Sequence, residues 1–349
     1  METKVVAFIY KGDKEMAVNV DIFNPQVSVV AKGLAGKCIM IYGGNNRGKT
    51  YVATHMSKPF VIACESGLNA LNGVKYNRVN NWADMKKLVK QFTSKATVEK
   101  ARELYDTIVI DEVYASSIFC QDYVMSTYGD GALTLSDTND PRKNLYQLYE
   151  KEYFRVINQL LSCDYTVVFI AHEQADGKTG FITPKGDKRC LNPIIDNCDF
   201  VIYLKSGGTD EDGKVILSTA YFAETKEFFA RSRFTECATE LYPFTAEGLE
   251  KVIHDAVEAE EKKSGVKAVD YEVQKQQNIS VVRDYDEVMA EIQETGQKLV
   301  DAGELEALTE IVEETLGKGK KVSECTKKQI DAMEIILDNL KEKVEELGL

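Results

Sequence analysis

Residues 43–50 read Gly43-Gly44-Asn45-Asn46-Arg47-Gly48-Lys49-Thr50, the spacing GxxxxGK[ST]. Its glycines let the backbone curl until successive N–H groups point into one concavity that can hold phosphate oxygens. A lysine at the seventh position meets the outer phosphates of a nucleoside triphosphate, and the hydroxyl after it holds a divalent cation. On this reading all eight residues bind ATP, Lys49 bridges its β- and γ-phosphates, and Thr50 is a ligand of Mg2+. A second element supports the first. Asp106-Thr107-Ile108-Val109-Ile110-Asp111-Glu112 is an apolar run ending in carboxyls, which places Asp111 to hold the same ion through water.

Four further positions are candidates for the chemistry of hydrolysis. Glu65 follows the apolar run FVIAC and could polarise an attacking water as general base; Glu112 competes for that role. His172 ends the run TVVFIA, where it could sense the γ-phosphate and relay its presence to the loop that follows. Arg231 and Arg233 alternate along FFARSRF, so an extended backbone puts both guanidinium groups on one face. That arrangement suits presentation of positive charge to the phosphates of a neighbouring subunit.

These residues must be positioned by something, and the apolar pattern says what. CIMIY (38–42), FVIAC (60–64), TIVI (107–110), TVVFIA (166–171) and FVIYL (200–204) are continuous runs, as strands buried on both faces require. Amphipathic stretches lie between them, among them 81–94 and 143–162, so strand and helix alternate as in a parallel sheet wound with helices. The expected fold class is therefore α/β, a P-loop NTPase core with a mostly parallel central sheet. VVAFIY and AVNVDIF around a Lys-Gly-Asp-Lys turn predict a small N-terminal β-hairpin over 1–30, and the core spans 31–245. Antiparallel-type strands occupy 205–234. A helix and polar linker follow over 246–283, with 264–280 the linker proper. Residues 284–349 form an acidic helical C-terminal domain with helices near 284–301, 304–316 and 326–347. In the last of these Ile330, Met333, Ile336, Leu337, Leu340 and Val344 recur at helical spacing, as a bundle packing its own core or a partner-binding helix requires.

Charge and cysteine usage exclude several classes. The 349 residues carry a net charge of -13, unlike a plain basic nucleic-acid binder. Residues 251–349 hold 14 basic and 24 acidic side chains, a net of -10, which leaves the first 250 residues at only -3. The acidity thus belongs to the C-terminal part, where it could recruit a partner or compete with DNA for the core. No apolar stretch approaches the roughly 18–20 residues of a membrane span, and the first residues lack the pattern of a secretory signal. The eight cysteines are scattered with no CxxC pair, and His55, His172 and His254 complete no zinc set with them. Reduced thiols and a cytoplasmic protein are expected.

The motif series GGNNRGKT, VIACESGLNAL, DTIVIDE and IAHEQADG leading to DNCDFVIYL resembles the RecA/RadA branch of P-loop ATPases. It is most similar to the phage RecA-core recombinases of the Sak single-strand-annealing group. The similarity covers about residues 30–240. It implies an ATPase assembled as a ring or filament, with nucleotide between subunits and single-stranded DNA along the inner surface. It also implies that Glu65 is the catalytic glutamate, that His172 couples the γ-phosphate to the DNA-binding loop, and that Arg231 and Arg233 act in trans. Two departures stand out. Asp111-Glu112 is closer to the AAA+ pattern than to the Asp-Ser of RecA-type strands, so Glu65 and Glu112 both remain candidates for the base. Arg231 stands where RadA-type proteins often have lysine.

The DNA-facing loops are expected at 114–142 and 175–195, the second carrying Lys178, Lys185, Lys188 and Arg189 around Phe181. The leading functional expectation is a DNA-stimulated ATPase that promotes annealing or strand exchange in phage-type recombination. A single-strand binding or replication protein is the expected partner of the C-terminal region. A RecA- or AAA-like motor or loader in replication or packaging is the first alternative, and a nucleotide-gated assembly protein the second.

Overall fold

A computed structural model describes residues 25, 27–137, 140, 142–278 and 284–349 of the chain. Two compact units share these residues, one comprising Gln26–Gln277 and the other containing Asn278–Leu349. The hairpin expected over 1–30 lies outside the described residues, apart from 25 and 27–30.

The larger unit is built on a nine-stranded sheet. Its strands are β1 (Cys38–Gly43), β2 (Pro59–Ala63), β3 (Tyr76–Arg78), β4 (Thr107–Asp111) and β5 (Thr166–Ala171), then β8 (Phe200–Lys205), β9 (Thr219–Tyr221), β10 (Arg231–Ser232) and β11 (Glu240–Leu241). The order is β11-β9-β8-β1-β5-β4-β2-β3, with β10 pairing onto β8. The pairs from β8 to β3 are parallel, and β9, β10 and β11 add antiparallel pairs at the β8 side. A separate two-stranded hairpin, β6 (Glu173–Ala175) and β7 (Ile182–Pro184), interrupts the path between β5 and β8. The continuous apolar runs form the inner strands because both faces are covered. Met40 and Tyr42 of β1 pack on one face with Ile62, Ile110 and Phe169. Ile39 and Ile41 pack on the other with Val61, Val109, Val168 and Ile202.

Helices α1 (Lys49–Ala53), α2 (Trp82–Thr93), α3 (Val98–Leu104), α4 (Val113–Tyr128), α5 (Leu145–Leu161), α6 (Lys188–Asn197), α7 (Ala246–Ser264) and α8 (Tyr271–Asn278) surround the sheet. Four expectations are corrected here. The stretch 114–142 is not a loop: α4 occupies its first half and packs antiparallel to α5, with Ser116 Oγ 2.9 Å from Tyr153 Oη and the Cys120 thiol donating to Tyr149 O at 3.9 Å. The stretch 175–195 is the end of β6, a turn, β7 and most of α6, whose first turn holds Lys188 and Arg189. The core does not end at 245. Leu249, Val252 and Ile253 of α7 are buried with the sheet residues Val61 and Ile202, so the helix is part of the sheet's cover. Nor is 264–277 a linker. Ala31 and Val269 form a β-bridge, Ala268 is buried, and the Tyr271 hydroxyl donates to Asp164 Oδ1 at 3.1 Å.

The smaller unit holds α9 (Tyr285–Asp301), α10 (Leu305–Leu316) and α11 (Ile330–Leu347). Val288, Ile292 and Leu299 of α9 share a core with Met333, Ile336, Leu337 and Leu340 of α11. Among the described residues no helix is long and apolar enough to cross a membrane.

Candidate nucleotide and hydrolysis site

Register brings the motif residues to one edge. Tyr42 pairs with Ala171, Asp111 with Ile170, and Ala63 with Asp111, so β1, β5, β4 and β2 end side by side. The loop 43–50, His172, Glu112 and Glu65 each follow one of these ends. Two glycines are required by the backbone. A Cβ on Gly43, at φ +153°, would lie 2.7 Å from the Leu204 carbonyl oxygen. Gly48 turns into α1 at φ +87°, a conformation costly for any residue with a Cβ.

Lys49 is only 7% exposed, and its ammonium donates to Gly43 O at 2.9 Å and Gly44 O at 2.7 Å. Burial holds its pKa below the ordinary lysine value, an effect opposed by the nearby Asp111 carboxylate. Thr50 Oγ1 donates to Asp111 Oδ2 at 2.8 Å, so the hydroxyl and carboxylate expected around one ion are in contact. Asp111 is 2% exposed, and burial raises its pKa against the pull of that hydrogen bond. These features fit a triphosphate with Mg2+. A buried ammonium donates to two loop carbonyls, and an oxygen-donor pair suited to a hard cation stands beside it.

The two rival carboxyls differ in what already occupies them. Glu112 is 3% exposed and caps α4, its oxygens accepting from the Tyr114 and Ala115 amides at 3.0 Å each. Burial raises its pKa, opposed by those two amides. Glu65 is 37% exposed at its side chain, and its Oε2 lies 3.5 Å from His172 Nε2. Donor atoms of Glu65, Glu112 and His172 all lie within 4.8 Å of one another.

Arg231 and Arg233 are elsewhere. Arg231 pairs with Val201 near the start of β8, whereas the end of β8 lies beside Gly43. The pair therefore sits at the opposite edge of the sheet from Lys49 of the same chain. Arg231 donates to Asp196 O at 3.3 Å and Cys198 O at 3.0 Å; Arg233 donates to Asp196 O. Both cations thus cover the carbonyl end of α6, where a helix favours positive charge. The buried Nε of Arg231 has no hydrogen-bond partner among the described residues.

Two residues that the motifs do not flag belong to the site's surroundings. Glu173 reaches the loop, its Oε1 3.3 Å from where a Gly44 Cβ would stand, and Ser218 Oγ donates to Arg47 O at 2.9 Å. The only signal for Glu173 was its position next to His172. Ser218 had none, because β9 brings it from outside the motif series.

A family model described as an AAA domain matches residues 35–234 of the chain. The SPbeta prophage-derived uncharacterized protein YorG of Bacillus subtilis (strain 168) is 51% identical over 327 residues, covering 94% of this chain and 99% of that protein.

Proposed function

We propose that this chain, which belongs to the AAA-domain family of P-loop ATPases, hydrolyses ATP in response to single-stranded DNA and uses the cycle to promote annealing or strand exchange. One observation carries the reading. The β6–β7 hairpin starts at the residue after His172, and Lys185 N donates to His172 O at 2.8 Å, so a basic loop is hydrogen-bonded to the edge of the nucleotide site. Bound ATP with Mg2+ supplies the phosphoryl group to be transferred and the cation that neutralises its charge. Gly43–Thr50 hold the phosphates, with Lys49 exchanging its loop carbonyls for phosphate oxygen. Thr50 and Asp111 hold the metal. Glu65 accepts the proton of the attacking water, because it is the more exposed of the two carboxyls whereas Glu112 is buried as the cap of α4. His172, beside Glu65, couples that step to the hairpin, and Lys178 at the hairpin turn meets the DNA backbone.

Arg231 and Arg233 serve a neighbouring copy in a ring or filament, a role their edge position permits only in trans. The prophage origin of the relative supports the phage setting of this reading. ATP turnover with and without single-stranded DNA tests the proposal, together with annealing of complementary strands. Turnover indifferent to DNA, with no binding at low salt, overturns it.

A further inference from the structure

We infer that Glu65, Glu112 and His172 form a second divalent-cation site, selective for transition metals such as Zn2+ or Co2+ and separate from the Thr50–Asp111 pair. The donor set is two carboxylates and one imidazole, all within 4.8 Å of one another. Imidazole nitrogen suits zinc, cobalt and nickel, whereas Mg2+ takes oxygen ligands almost exclusively. Three protein ligands with the remaining positions open to water are a common pattern for an accessible zinc site.

The distances are compatible with such an ion. Two ligands each about 2.0–2.1 Å from a tetrahedral ion stand roughly 3.4 Å apart, and His172 Nε2 lies 3.5 Å from Glu65 Oε2. Glu112 is oriented beforehand, since the Tyr114 and Ala115 amides fix its carboxylate at 3.0 Å while each oxygen keeps a lone pair. Glu65 is half-exposed and can rotate to close the remaining gap. Lys49, the nearby ammonium, makes its hydrogen bonds to Gly43 O and Gly44 O and leaves the carboxylate oxygens of Glu65 and Glu112 to other partners. A metal here would occupy the carboxylate and imidazole assigned above to hydrolysis, so the site would let a transition metal hold the ATPase off.

Nucleotide plays no part in the test, so it stands whether or not the hydrolytic reading holds. Co2+ is titrated into the full-length protein without nucleotide and followed by its visible absorption. The expected result is one Co2+ per chain with the absorption of an imidazole- and carboxylate-bound ion, and displacement by Zn2+. Loss of an outer partner of a metal ligand costs 10–100-fold in affinity, so His172→Asn and Glu65→Gln should each weaken binding by at least about tenfold. Thr50→Ala should leave it unchanged. Circular dichroism checks the folding of each variant, and Glu65→Gln carries the test if His172→Asn does not fold. Absence of Co2+ binding, binding indifferent to both variants, or binding lost in Thr50→Ala overturns the proposal.

Discussion

Glu65 and Glu112 are chemically alike, and their surroundings separate them. The Glu112 carboxylate accepts two amide hydrogens at the start of α4, so its removal acts on the fold. In Glu112→Gln one of those amides faces an NH2 group, the loss of about one capping interaction, worth ~1 kcal/mol. A melting temperature lower by roughly 2–4 °C is expected. Glu65 caps nothing among the described residues and contacts His172. Glu65→Gln should therefore keep the melting temperature and nucleotide binding while turnover falls about 10²–10⁴-fold, the usual worth of a general base. Turnover that survives in Glu65→Gln and vanishes in Glu112→Gln would reverse the assignment. Neither outcome could be read from the residues' positions after their strands, because the capping amides belong to a helix whose start was not visible.

At the scale of elements, the hairpin β6–β7 and helix α4 show opposite degrees of legibility. Lys178, Lys185, Lys188 and Arg189 stood out by composition, yet the structure gives them different tasks. Lys185 lies over the Tyr114 ring at 4.6 Å and Arg189 over the Tyr146 ring at 4.3 Å, so both are engaged within the chain. Lys178 is exposed in a turn closed by Asp176, whose Oδ1 accepts from the Lys178 and Thr179 amides. Lys178→Glu should thus weaken single-stranded DNA binding and reduce the slope of log K against log salt by roughly 0.7 per lost phosphate contact. An unchanged slope would remove the turn from the DNA interface. Helix α4 was invisible because its buried positions, Val113, Ser116, Ser117, Cys120 and Val124, include two serines and leave no apolar stripe. Periodicity reports a helix only when one face is apolar and the other is not.

For the whole molecule, the acidic charge has a sharper address than composition allowed. Residues 278–349 carry 9 basic and 18 acidic side chains, a net of -9, while 264–277 are bound to the ATPase unit through Val269 and Tyr271. The cut that isolates the effect of this charge therefore falls after Gln277, since a cut at 264 would strip a docked segment from the core. Removal of 278–349 should tighten single-stranded DNA binding at low salt if the acidic helices compete with DNA for the basic loop. Weaker or unchanged binding would make them a docking module. Sequence by itself determined the phosphate loop, the two-faced burial of the inner strands and the edge at which Glu65, Asp111 and His172 gather. Those signals are contiguous or periodic, and each depends on the properties of its own segment. Only the tertiary structure decided which carboxyl caps a helix, where α4 lies, that 246–277 belongs to the core, and that Arg231 and Arg233 face away from their own nucleotide site. Each of those rests on hydrogen bonds and packing between segments distant in the chain, which no local pattern records.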